Sequence, residues 1–144
     1  MSKTKTLRNF ITLFSILILS TKTYSQISAS FYTNSSNSKF AIGYNFNEKL
    51  WTDLRIYSGT NIDNITPELV LNYNFINKNK YDLYVGAGMI FNQINGFVLP
   101  VGVAVKPFDN FKNLSLNIEF TPLYEMDDRD LYIRGFLGIR YKLN

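Results

Sequence analysis

The chain contains no cysteine and no histidine. Without cysteine it has no disulfide, no thiolate nucleophile and no lipidated N-terminal cysteine. Without histidine it loses the commonest metal ligand and the commonest general base together. A Ser–His hydrolytic mechanism is therefore excluded. Proline is scarce, at four residues, and long apolar runs are scarcer still. The one such run, Phe10 to Leu19, falls short of the roughly 20 apolar residues that a spanning helix needs. Beyond Gln26 no segment carries a helical period.

The apolar run belongs to a leader. Lys3, Lys5 and Arg8 precede it as a basic region. Thr23 and Ser25 follow as small residues suited to cleavage before Gln26. Residues 1–25 read as a secretory signal peptide, and 26–144 as one domain. The leader also accounts for the basic balance. Removing Lys3, Lys5, Arg8 and Lys22 from fifteen basic residues leaves eleven, against eleven acidic ones. The basic balance is therefore no evidence for nucleic-acid binding, which needs a basic patch on the folded domain, and no nucleic-acid partner is expected.

What the mature chain does have is a two-residue rhythm. Eight runs of strand composition fall at about 26–33, 38–46, 49–58, 67–76, 80–92, 96–107, 113–124 and 130–143, between clusters of Asn, Gly, Asp, Ser and Lys. In the second run Phe40, Ile42, Tyr44 and Phe46 oppose Ala41, Gly43 and Asn45. In the fourth, Leu69, Leu71, Tyr73 and Phe75 oppose Glu68, Asn72 and Asn74. Strand side chains alternate faces, so each set covers one surface of a sheet. Pro100 and Pro122 fall inside two runs and predict bulges or fraying there.

Alternation alone does not say which face meets water. Volume does. An eight-stranded barrel has room inside for ordinary side-chain filling or one small ligand. The bulky Leu, Ile, Val, Phe and Tyr set would overfill it. The Gly-, Ala-, Ser- and Asn-rich set suits a narrow polar lumen. Runs four to eight also reach the 9–11 residues that a tilted membrane-spanning strand needs, while the first two are shorter. The expected fold is all-β: an eight-stranded antiparallel up-and-down transmembrane β-barrel, its backbone groups paired by closure. Together with the leader, it is expected in a bacterial outer membrane. Tight turns at Asn47–Glu48 and Asn77–Asn79 put both chain ends at the periplasmic side, although the connection Pro107–Asn113 is long for that side.

Charges at inward positions are few and of both signs: Asp53, Arg55, Glu68, Asp82, Glu119, Arg134 and Arg140. They are expected to pair across the lumen, because an isolated charge there is costly. Asp53, Arg55, Glu119 and Arg140 lie at similar heights and are the expected centre of that network. Its structural reading is a plug, and its functional reading an ion-selective constriction. Trp51, Tyr57, Tyr81, Phe97, Phe108, Phe111 and Tyr124 fall near strand ends, where aromatics form interfacial girdles. The acidic stretch Glu125, Asp127, Asp128 and Asp130 reads as a solvated loop, since its spacing matches no calcium loop. Gly86, Gly88 and Gly102 read as relief of crowding in the lumen. No metal and no cofactor are expected.

With these runs on view, the chain resembles the small outer-membrane β-barrels of Gram-negative bacteria, the OmpA-transmembrane-domain and OmpX-like group. The resemblance rests on the leader, the eight runs, and the stretches LYVGAGMIF (Leu83–Phe91), PVGVAVKPF (Pro100–Phe108) and FLGIRYKLN (Phe136–Asn144). It implies lipid and lipopolysaccharide as surroundings, a monomer, and insertion by the barrel-assembly machinery. That machinery reads an aromatic near the C-terminus, for which Tyr141 is the nearest match here. The expected role is non-enzymatic: structural, adhesive or weakly pore-forming. The alternative is a soluble secreted barrel that binds a small apolar ligand, which needs the bulky set to point inward.

Overall fold

The computed structural model describes residues 27–58, 65–92 and 94–143. The signal-peptide reading lies outside them, as does most of the connection after Ser58. Nine strand segments follow one another: β1 (Ile27–Thr33), β2 (Ser38–Asn45), β3 (Leu50–Tyr57), β4 (Pro67–Asn77), β5 (Tyr81–Ile90), β6 (Gly96–Val98), β7 (Val101–Val105), β8 (Leu114–Glu125) and β9 (Leu131–Lys142). All pairings are antiparallel, and β6 and β7 are two halves of one stave. Sequence neighbours pair around the wall, and β1 closes on β9 with Ser28 opposite Lys142 and Tyr32 opposite Gly138. The result is a closed eight-stranded up-and-down barrel with no open edge.

The turns follow from local chemistry. Asn34 Oδ1 accepts the backbone N–H groups of Ser36 and Asn37, at 2.9 and 2.7 Å. Asn47 Oδ1 does the same for Lys49 and Leu50, at 2.8 Å each. Asn side chains stand in for a backbone carbonyl in this way, and so tighten hairpin ends. Near the end of β4 the register with β5 shifts between Asn74 and Ile76, a bulge.

The two prolines behave differently. Pro100 divides the sixth run, because it has no N–H to give to the ladder. Its carbonyl still accepts Gly86 N–H at 2.7 Å, and Leu99 N–H reaches Pro122 at 3.0 Å, so the wall stays hydrogen-bonded across the break. The fraying expected at Pro122 does not occur. β8 runs unbroken through it, with Pro122 opposite Ile133.

The alternation sorts as expected. Phe40, Ile42, Leu54, Leu69, Leu71, Ile118, Phe120, Leu137 and Ile139 are all exposed on the outer wall. Lys39, Asp53, Arg55, Glu68, Asn72, Asn117 and Glu119 are buried inside. The molecule is turned inside out relative to a water-soluble globule.

Candidate functional site

The lumen is filled by charged and aromatic side chains. At its centre stands Arg55 of β3, fully buried. Its Nη1 and Nη2 donate to Oε1 and Oε2 of Glu119 on β8, at 2.7 and 2.9 Å. The same Nη1 reaches Glu68 Oε1 on β4 at 3.1 Å, and Nε reaches Asp53 Oδ2 at 3.3 Å. Lys39 of β2 adds a second cation, 3.4 Å from Glu68 Oε1 and 3.7 Å from Glu119 Oε1. Two cations thus face three carboxylates. The fork of Arg55 matches a carboxylate in two parallel bonds, the strongest geometry such a pair can adopt.

Hydroxyls and rings complete the cluster. Tyr84 donates to Glu119 Oε2 at 2.8 Å, Thr121 to Glu119 Oε1 at 3.0 Å, and Tyr57 to Glu68 Oε2 at 3.0 Å. The ammonium of Lys39 lies 4.0 Å from the Phe136 ring centroid and 5.5 Å from those of Tyr32 and Tyr57. The Arg55 guanidinium stands 4.8 Å from the Tyr32 ring. These aromatic faces carry negative potential, so the cations are held by rings as well as by carboxylates. Towards the mouth away from the chain ends, Val70, Ile90, Val98 and Leu123 close the lumen with apolar groups.

The tyrosines fit because glycines face them. Tyr84 pairs with Gly102 and Tyr32 with Gly138 across neighbouring strands. A Cβ on either glycine would run into the tyrosine ring. Gly102 therefore relieves crowding as expected, and Gly138 does the same at a position not singled out in the sequence.

Of the expected network, Asp53, Arg55, Glu68 and Glu119 come together. Asp82 does not join them. It pairs with Lys106 at 3.0 Å, nearer the chain ends. Arg140 also stands apart: its guanidinium stacks 3.5 Å from the Trp51 ring centroid, and Nη2 donates to Ser28 Oγ and Asn45 Oδ1. Arg134 is half-buried, beside Tyr57 rather than in an ion pair of the cluster. Barrel tilt explains these misses, since residues at equal counts along different staves do not lie at equal heights. Lys39 was missed although its odd number places it with Ala41 and Gly43 on the inner face. A lysine at a strand end is ordinarily taken for a rim residue.

The girdle requires a correction. Tyr81, Phe97, Phe108, Phe111 and Tyr124 are exposed on the outside, but Trp51 and Tyr57 point into the lumen and are buried. Both have the parity of Asp53 and Arg55, so the period of two overrules their position near a strand end. Trp51 uses its indole N–H on Asn74 Oδ1 at 3.1 Å and packs edge-on to Tyr84. No group of acidic side chains among the described residues is placed to hold a metal ion.

No protein-family model and no curated relative matches the chain. Among solved structures it is similar to one reported under "De novo design of transmembrane beta-barrels". That likeness has a TM-score of 0.59 at 16% identity, over 81% of this chain and 92% of that one. The class that fold and lumen define is a small transmembrane-type β-barrel: closed, apolar outside, charged within.

Proposed function

We propose that this protein is a non-enzymatic integral barrel of a bacterial outer membrane, exported by residues 1–25, whose role is structural or adhesive rather than conductive. One observation carries the reading. Large apolar side chains cover the outer wall on stave after stave, from Ile42 and Leu54 through Leu71 and Phe120 to Leu137 and Ile139. In water such a surface is an aggregation hazard, whereas in a bilayer it is the solvent-compatible face. Closure supports the same reading, because hydrocarbon leaves no backbone group unpaired without penalty.

The filled lumen favours a scaffold over a channel. Arg55, Glu119, Lys39 and Glu68 occupy its middle, and eight strands leave little width beyond them. The alternative of a soluble calyx for an apolar ligand gains no support from a lumen lined by charge. Lipid and lipopolysaccharide are the expected surroundings, the assembly machinery the expected helper, and a monomer the expected state. These follow the resemblance to the OmpA- and OmpX-like barrels.

Fractionation of expressing cells tests the proposal. The protein should stay with membranes through alkaline extraction. It should also migrate differently in heated and unheated detergent gels. Recovery in the soluble periplasm or the culture medium would defeat it.

A further inference from the structure

The lumen opens towards the chain ends through a narrow cavity of about 20 Å³. Four cations line it, Lys106, Lys112, Arg140 and Lys142, against one carboxylate, Asp82. Lys106 already engages that carboxylate, at 3.0 Å. Arg140 is the buried member, 5% exposed and stacked on Trp51. Its Nη2 donates to Ser28 Oγ at 3.1 Å and to Asn45 Oδ1 at 2.6 Å, both neutral acceptors. Among the described residues no carboxylate lies within ion-pair distance of it. Its Nε hydrogen is buried without an acceptor. Asp53 acts on Arg140 only from beyond that distance. A buried cation without a directly paired carboxylate is costly, and an unmade hydrogen bond on that cation adds to the cost.

We propose that this mouth is an anion-binding site that takes one carboxylate group against Arg140. The flat guanidinium is shaped for a carboxylate, and Arg140 lines the cavity from which one would approach. Lys106, Lys112 and Lys142 around the approach raise the local concentration of anions. The cavity is narrow, which suits the flat head of a carboxylate better than a bulkier tetrahedral phosphate. The ligand enters from the aqueous side, as a small carboxylic acid or as a carboxylate borne on a larger soluble molecule. This inference rests on the barrel geometry and stands apart from where the barrel resides.

Trp51 is the only tryptophan of the chain and lies against Arg140, so its emission reports on the site. Sodium acetate is titrated into detergent-refolded protein at an ionic strength held constant with sodium chloride. Trp51 emission and the thermal unfolding midpoint are followed together. Heat-modifiable gel mobility certifies folding of every variant. A saturable emission change and a rising midpoint are expected. Affinity should fall about tenfold or more in Arg140→Gln, in keeping with loss of a hydrogen bond to a charged partner. It should fall several-fold in Lys142→Gln, which keeps the test open if the first variant does not refold. Sodium phosphate is the parallel arm. Stronger binding of phosphate than of acetate overturns the carboxylate assignment. A response equal for acetate and chloride, an unchanged response in both variants, or silence in both readouts overturns the site.

Discussion

Arg55 and Glu119 meet across the diameter of the barrel. Counting β6 and β7 as one stave, β3 and β8 are separated by four steps along the wall in either direction. The paired contacts at 2.7 and 2.9 Å tie opposite walls through the centre. Removing one partner leaves charge behind in a closed space. Arg55→Ala should therefore destabilise the barrel by about 3–5 kcal/mol, the usual cost of orphaning a buried ion. Urea unfolding in detergent micelles measures it. An unchanged midpoint would show that the cluster contributes no stability.

The same cluster predicts an electrically quiet protein. With Lys39, Arg55, Glu68 and Glu119 filling the middle and Ile90, Val98 and Leu123 closing one side, no continuous water path is expected. Refolded protein in planar bilayers should give no discrete current steps. Reproducible steps from the native sequence would contradict the scaffold reading.

Gly102 and Gly138 make room for Tyr84 and Tyr32. Gly102→Ala puts a methyl group into the Tyr84 ring, which cannot swing away without losing its bond to Glu119. Overpacking of this kind costs about 1–3 kcal/mol. A lowered thermal midpoint is expected for Gly102→Ala and for Gly138→Ala. Gly135→Ala should be tolerated, since a Cβ there meets only ordinary contacts, at 3.6 Å and beyond.

Leu71 lies midway along β4 and points outward, half exposed. If hydrocarbon covers it, Leu71→Arg should cost about 2–4 kcal/mol, as charges do near the bilayer midplane. Insertion into lipid vesicles should suffer, measured as the fraction of heat-modifiable protein. A wall facing water would accept the arginine and become more soluble.

Much of this was legible in residue order. Parity alone assigned Phe40, Leu71 and Ile139 to one surface and Asp53, Glu68 and Glu119 to the other, because the pleat leaves a strand residue only two directions. Parity also assigned Trp51, Tyr57 and Lys39 to the inside. Position near a strand end obscured the two aromatics, which were expected in a girdle, and Lys39 was not singled out at all. Tyr32 and Tyr84 were harder to read. Nothing local shows that a glycine on the neighbouring strand makes room for a ring.

The sequence by itself determined the strands, their number and the sidedness of each, since those depend on a period of two and on turn residues such as Asn34 and Asn47. The tertiary structure alone decided who meets whom inside. Closure and tilt bring Arg55 to Glu119 from opposite walls, leave Arg140 with Trp51 rather than a carboxylate, and send Asp82 to Lys106. Such partnerships depend on the stagger between staves that are distant along the chain. No count along a single strand contains that quantity.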